Sequence, residues 1–411
     1  MNYYKSIKIR LYPNKTQEKQ MKHTLDCSRW IWNHMLALNI KEYNLNKKFI
    51  FNFQMQKLLI PLRKEYGWLS KAATHALSRV CYDLDHALRN CFKFDMGFPK
   101  FKKKNIFEAK YYVHNGTMRI INNKINLSKL GYVKFRGKTL SDKIMSATIS
   151  LDGDKWYLSI MYECDQYKQD FPIGEVGIDL GIKSFAVTSD GEVVDNPHFL
   201  KNQLRKLKKL QRKQARTKKG SNRRQKANLR IRKCHRKIAN KRNDFLHKFT
   251  TDIVKNNGLI CIEDLNINGM MKNHNLSLAI SELGLYEFKR QLKYKSAWNG
   301  CQLVEIPRFY PSSKTCSCCG KVKTKLALHE RLYSCEHCGH EMDRDLNAAI
   351  NILKVGQAMS KLEHENALKA RGESSTGREA TTASIRHDSM NREQQDYADC
   401  KIQALEVSVG G

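Results

Sequence analysis

Val176-Gly177-Ile178-Asp179-Leu180-Gly181 is a short apolar run broken by one acid, and its reading decides the fold. The run has the length and bulk of a buried strand. Phe185-Ala186-Val187 and then Ser189-Asp190-Gly191 continue it as a hairpin. A carboxylate in such a strand must be paired or metal-bound, because an isolated buried charge is too costly. Far downstream, Leu259-Ile260-Cys261-Ile262-Glu263-Asp264-Leu265 repeats the design as a buried strand ending in acids. Asp343-Arg344-Asp345-Leu346-Asn347-Ala348-Ala349-Ile350 then starts a helix at an acid, with Leu346, Ile350 and Leu353 as its expected buried stripe. Two strand ends and a helix start can meet at one edge of a sheet. Carboxylates about 4 Å apart repel by roughly 4 kcal/mol at an effective dielectric near 20. Divalent cations relieve that repulsion, and oxygen ligands with open positions suit Mg²⁺ or Mn²⁺. Asp179, Glu263 and Asp345 are therefore the candidate catalytic acids and metal ligands for phosphodiester hydrolysis. Asp264 and Asp343 are alternatives, ranked lower because adjacent strand residues point to opposite faces.

Between the second and third acids lie Cys316-x-x-Cys319-Gly320 and Cys335-x-x-Cys338-Gly339. Two such knuckles at this separation have the spacing of a zinc ribbon, with four thiolates around one tetrahedral structural Zn²⁺. A site of this kind contributes on the order of 10–16 kcal/mol to folding so small a unit. Cys318 is an alternative ligand of poorer spacing, and His329, His337 and His340 are read as non-ligands. Cys81, Cys91, Cys164 and Cys261 sit in apolar patterns and are expected to be buried thiols.

The chain has 74 Lys and Arg against 40 Asp and Glu, a formal net charge of +34. Such an excess repels itself in a compact state unless a polyanion neutralises it, which points to nucleic acid. A ribosome-like structural protein or a merely highly charged soluble protein are the blander readings. From Lys201 to Arg242 there is no acidic residue. Gly220-Ser221-Asn222 reads as a turn between two basic helices. Lys201, Arg205, Lys208, Lys209, Arg212, Lys213, Arg216, Arg223, Arg224, Arg230 and Arg236 are the expected nucleic-acid contacts. No signal peptide or membrane-length apolar run is visible, so an intracellular, cytoplasmic and nucleoid-associated protein is expected.

Upstream, Ile7-Lys8-Ile9-Arg10-Leu11-Tyr12 alternates as a strand. Helices are expected from about Thr16 and over 54–66 and 72–94, closed by the basic turn Gly97–Lys104. Strands follow at 111–113, 118–121, 132–135, 147–151 and 156–161. After Gly356 the composition turns to Ser, Thr, Glu and Gln, and a disordered tail over 357–411 is expected.

With these residues assembled, the chain resembles the TnpB (OrfB) proteins of bacterial and archaeal insertion sequences. The likeness is carried by Ile9-Arg10-Leu11-Tyr12-Pro13, Gly97-Phe98-Pro99-Lys100-Phe101-Lys102 and Gly177-Ile178-Asp179-Leu180-Gly181. It continues in Ile262-Glu263-Asp264-Leu265, Tyr310-Pro311-Ser312-Ser313-Lys314-Thr315-Cys316, and Asp343-Arg344-Asp345-Leu346-Asn347-Ala348-Ala349. The resemblance implies an RNA-guided DNA endonuclease related to compact type V CRISPR effectors, and places the family's catalytic acids on the same three residues. Its partners would be a guide RNA from the transposon end and duplex target DNA with a short adjacent motif, with one protein per RNA. The implied fold is α/β and α+β multidomain. A wedge β-barrel (1–170) holds a helical recognition insertion (about 15–95). An RNase H-like (RuvC) domain follows (171–310), with the ribbon (311–341) inserted before its final helix (342–356). Tyr3, Tyr4, Tyr12 and Trp30 are candidates for stacking on bases, although Trp30 fits a core role better. A ribbon protein assisting transposition without cutting, and an unguided RuvC-like nuclease, are the competing readings.

Overall fold

Apolar residues alternating with Lys and Arg make β1 (Tyr3–Tyr12) a strand with one wet face, and Ile9 and Leu11 are buried. The structure, a computed structural model, describes residues 3–94, 96–105, 108–137, 143–164, 172–327 and 329–373. The chain divides into two compact units, Met1–Asp165 and Gln166–Ala380; the remaining Thr381–Gly411 lies outside the described residues.

In the first unit three helices follow β1: α1 (Lys15–Asn46), α2 (Asn52–Glu65) and α3 (Thr74–Lys93). Asn14 caps α1 through a reciprocal box with Gln17. The helices bury Ile31, Met35, Leu59, Leu77, Leu84 and Leu88 in one core. The basic turn is pinned to α1. Trp32 Nε1 donates to the Lys100 carbonyl at 3.0 Å, and Lys102 Nζ stands 3.2 Å over the Trp32 ring.

Strands β2 (Glu108–Val113), β3 (Ile120–Ile121), β4 (Lys124–Leu127), β5 (Gly131–Arg136), β6 (Ile144–Asp152) and β7 (Lys155–Cys164) join β1 in an antiparallel sheet. Its order is β2-β6-β7-β1-β5-β4-β3, and no pairing of β2 with β3 closes it among the described residues. One core nonetheless takes Tyr111 and Val113 from one edge and Ile120 beside the other, so the sheet curls around it. The strand expected at 118–121 is shorter. Asn122 and Asn123 take left-handed φ values of 43° and 59°, turning the chain into β4, which the apolar pattern alone does not reveal. Cys164 is half-buried, unlike Cys81, Cys91 and Cys261, because it ends an edge of the apolar pattern.

The second unit opens with β8 (Gly174–Leu180), β9 (Ser184–Thr188) and β10 (Val193–Asp195), an antiparallel meander. Helices α4 (Lys201–Ala215) and α5 (Asn222–Asn256) lead to β11 (Asn257–Glu263). Helices α6 (Ile267–Met271), α7 (Ser277–Leu283) and α8 (Leu285–Asn299) precede β12 (Gln302–Ile306). The sheet order is β10-β9-β8-β11-β12, and β11 runs parallel to both its neighbours. A small hairpin, β13 (Leu332–Ser334) and β14 (Glu341–Asp343), then enters α9 (Arg344–Glu373). Among the described residues no helix is long and apolar enough to cross a membrane.

Two expectations about α9 are corrected. Its buried positions are Asn347, Ala348, Ala349, Asn351, Ile352 and Gly356, whereas Leu346, Ile350 and Leu353 are half-buried. The helix also runs on to Glu373, so 357–373 is not a disordered tail. Met359 packs on Val304 and Ile306, and Ser360 Oγ and Glu363 bond Gln302. The polar composition that suggests disorder is that of a helix with one face on the sheet and the other in water. Residues 374–411 lie outside the described residues.

Candidate active site

Asp179 stands near the end of β8, and Glu263 ends the neighbouring β11. The two strands run parallel in a register that pairs Cys261 with Gly177 and Ile262 with Ile178, which leaves Glu263 beside Asp179. Asp345 comes from the first turn of α9, where unpaired backbone N–H groups favour a carboxylate. Asp179 feels the other two carboxyls. Burial first, then the charges of Glu263 and Asp345, push Asp179 up to about 7, against the opposing Arg344 guanidinium and the Leu180 N–H. Burial also raises Glu263, and the Ser312 hydroxyl donating to its Oε1 opposes that rise. Among the described residues the three acids do not all lie within 4.8 Å of one another, as the cysteine quartet does. Asp179 is the one that feels the charges of the other two.

The alternative acids have other work. Asp343 Oδ1 accepts from the Asp345 and Leu346 N–H groups at 2.9 and 3.1 Å and so caps α9. Asp264 is tied to Lys289 at 3.0 Å and Arg308 at 2.6 Å, which hold its carboxyl below the usual range.

How α9 reaches the sheet depends on two glycines. A Cβ on Gly177 would lie 2.2 Å from the Ala349 carbonyl oxygen, and one on Gly356 would lie 2.1 Å from Cys261 Sγ. Backbone therefore crosses backbone at Gly177, and that approach sets where Asp345 sits relative to Asp179.

The ribbon brings Cys316, Cys319, Cys335 and Cys338 together as sequence spacing predicts. Cys316 and Cys338 sulfurs are 3.6 Å apart, and those of Cys319 and Cys335 are 3.7 Å apart. Four sulfurs about 2.3 Å from a tetrahedral Zn²⁺ would be about 3.8 Å apart, so the quartet fits that ion. Gly320 and Gly339 take φ of 75° and 68° and donate back to the Cys316 and Cys335 carbonyls, closing twin turns. The Cys338 and His337 backbone N–H groups donate to the Cys335 thiol and lower it. Cys318, His329 and His337 are exposed and His340 is half-buried, and all four are outside the quartet.

The acid-free segment forms α4 and most of α5, joined at Gly220 with φ of 82° and capped by Ser221. Lys201, Arg205, Lys208, Lys209, Arg212, Lys213, Arg216, Arg223 and Arg230 are exposed, and Arg236 is half-buried. Arg224 differs from the rest. Its guanidinium donates to the Gln214 and Thr217 carbonyls at 3.2 and 2.9 Å, holding the end of α4 to α5. Leu207, Cys234 and Ile238 form the small core between the two helices. In the first unit, Tyr4 and Tyr12 are exposed, whereas Trp30 is half-buried against His34, Tyr66 and Trp68. The Tyr3 side chain lies outside the described residues.

Comparison with known proteins narrows the family. A model for OrfB of IS605, described as "Probable transposase", matches residues 159–274; models for a helix-turn-helix domain and a Cas12f1-like TNB domain match 1–48 and 286–352. The chain is 32% identical over 378 residues to InsQ of Escherichia coli (strain K12), named "Putative RNA-guided DNA endonuclease". That alignment covers 87% of this chain and 94% of InsQ. The chain belongs to the TnpB (OrfB) family. A relative from Streptomyces pristinaespiralis with the same kind of name is 33% identical, over 87% of this chain and 90% of its own. The fold is shared with the protein in a solved Cas12f1–sgRNA–target DNA complex, at a TM-score of 0.57 and 13% identity over 85% and 98% of the two chains. In this TnpB-family chain the stretch matched as helix-turn-helix is one strand and one long helix, β1 and α1.

Several site neighbours escape a reading of the sequence. Ser312 bonds Glu263, Arg331 reaches Asp345 at 3.5 Å, and Asn347 and Asn351 are buried against the ribbon. Ser312 and Asn347 stand in motifs that carry the family resemblance, and Asn347 and Asn351 form a polar pair at i and i+4 on the helix, but neither signal names the partner.

Proposed function

We propose that this chain is an RNA-guided DNA endonuclease of a transposable element, cutting at Asp179, Glu263 and Asp345. The observation that carries the reading is the convergence of these acids from two parallel strands and a helix start, where burial and then the charges of Glu263 and Asp345 push Asp179 up to about 7. The relatives bearing RNA-guided endonuclease names span nearly the whole chain, and a 27% identical relative is named "CRISPR-associated endodeoxyribonuclease Cas12f1".

An antiparallel meander running into parallel strands, with acids at adjacent strand ends, supports an RNase H-like (RuvC) domain interrupted by the ribbon. The curled first sheet with its three helices supports a wedge carrying a recognition insertion. The three acids would hold Mg²⁺ or Mn²⁺, which when bound activates water and stabilises the leaving oxygen; two such ions suit a phosphodiester. The Ser312 hydroxyl donates to Glu263 and opposes the rise that burial causes, while Asp345 stands at the start of α9 with Arg331 3.5 Å away. Asp179 must lose its proton to act as a ligand, so it gates the site near neutral pH. The exposed cations of α4 and α5 would track the phosphates of guide RNA or heteroduplex while base pairing reads sequence.

Co-expression with flanking element DNA, followed by sequencing of co-purified RNA, tests the guided part. Cleavage of a plasmid carrying the matched target should need Mg²⁺ and fall at least about a thousandfold in Asp179→Ala. If no RNA co-purifies and Asp179→Ala cuts as well as wild type, the proposal is wrong.

A further inference from the structure

The first cysteine knuckle and the acid centre are joined by a buried set of hydrogen bonds. Asn347 Nδ2 donates to the Thr315 carbonyl at 2.7 Å, and Asn347 Oδ1 accepts from the Ser317 N–H at 2.9 Å, on either side of Cys316. Asn351 Nδ2 donates to the carbonyls of both Ser312 and Thr315, at 2.9 and 2.7 Å. Asn347 is fully buried and Asn351 only 3% exposed, and both lie on the helix that carries Asp345. Lys354, one turn further along, donates to the Ser317 carbonyl. On the other side of the same backbone segment, the Ser312 hydroxyl donates to Glu263.

Apolar side chains on this α9 face would leave the Ser312 and Thr315 carbonyls and the Ser317 N–H without these partners, so the two buried amides fix that backbone in place. Asn347 aims a donor and its acceptor, and Asn351 its amide donor, at one stretch, 312–317. That stretch has a cysteine ligand at one end and a hydroxyl on Glu263 at the other. We propose that Ser312, Asn347 and Asn351 are positioning residues, a brace by which the cysteine knuckle sets where Glu263 and Asp345 stand for metal binding. The inference rests on the reading of the acids as a metal centre. It assigns the ribbon a role within the cleavage site itself: Ser312 orients one ligand directly, and the asparagines fix the segment that carries Ser312 onto the helix that carries another. Residues that orient metal ligands in this way typically change affinity by about 10–100-fold when removed.

The test uses the full chain and Mn²⁺ alone as probe, with binding followed by electron paramagnetic resonance, bound zinc quantified, and thermal unfolding recorded. Ser312→Ala should weaken the Mn²⁺ signal that Asp179→Ala abolishes by about tenfold or more, with zinc content unchanged and Ser312→Thr restoring affinity. Asn351→Leu, which keeps the volume and removes the amide, should weaken Mn²⁺ binding similarly while zinc stays bound. If both variants keep zinc and bind Mn²⁺ as wild type does while Asp179→Ala does not bind, the brace is overturned and the acid centre stands. If Asp179→Ala also binds Mn²⁺ normally, the acid-centre reading fails and takes the brace with it.

Discussion

Asp179 is the residue whose protonation the fold alters most usefully. Its carboxyl is raised to about 7, so between its ordinary value near 3.8 and that pH the folded chain binds a proton that the unfolded chain has released. Metal-free stability should therefore fall as pH rises through this window, since the unfolded state binds fewer protons there. Asp179→Asn removes the charge, and should stabilise the metal-free protein at pH 8 by on the order of 1–3 kcal/mol while abolishing cleavage. Paired melting curves of variant and wild type at pH 5 and pH 8 check this; a benefit equal at both pH values would contradict it. The same proton competes with metal, so Mn²⁺ affinity should weaken below about pH 7, measurable by titration calorimetry. Asp343 and Asp264 show why residue type alone was not enough. All five acids look alike in sequence, yet Asp343 spends its carboxylate on a helix cap and Asp264 on two cations.

Helix α9 joins three functions, because its start carries Asp345, its buried amides hold the ribbon, and its glycine-backed crossings seat it on the sheet. Gly177→Ala would put a methyl 2.2 Å from the Ala349 carbonyl, and neither backbone can yield cheaply. The expected cost is about 2–4 kcal/mol, with cleavage impaired more than nucleic-acid binding. Denaturant unfolding and a filter-binding assay would separate the two effects, and an unchanged cleavage rate would show that α9 is not so fixed. Ending the chain after Gly356 should also destabilise the second unit, because Met359, Gln357 and Ser360 pack or bond to β8, β12 and their neighbours. A disordered tail would be removed without effect, so a melting temperature unchanged by the deletion would restore that reading. The basic hairpin is seated differently. Glu282 accepts from the Leu200 and Lys201 N–H groups at 2.7 and 2.9 Å, which orients the start of α4.

The net charge of +34 is a property of the chain taken together, and its consequence is salt dependence. Replacing Lys208, Lys209, Arg212 and Lys213 with Ala should lower nucleic-acid affinity at fixed salt. It should also flatten the slope of log affinity against log salt by about 0.7–0.9 for each phosphate that is no longer neutralised. Replacing Arg224 should instead loosen the hairpin, since its guanidinium is occupied by carbonyls, and should leave the slope nearly unchanged. Binding isotherms at several salt concentrations distinguish the two. A common slope for wild type and the quadruple variant would place the phosphates elsewhere on the protein.

What could be read from the residues was whatever depends on short spacing or on kind. Cysteine pairs at CxxC spacing with a glycine behind them, an acid in an apolar strand and a long run without acids each state their chemistry locally. Many of the periodic helices and strands were legible for the same reason, but not α6, α7, α8 and β12, nor the turn at Asn122 and Asn123, where two asparagines adopt left-handed backbone. The rest lay in contacts between distant segments. Ser312 is 49 residues from Glu263 and 39 from Asn351, and nothing in either neighbourhood announces the partner. Whether α9 ends at 356 or 373, and which of its faces is buried, was settled by a sheet built from strands that no local pattern of the helix encodes. Burial of polar groups is tolerated only where partners converge, and convergence is a property of the packed chain.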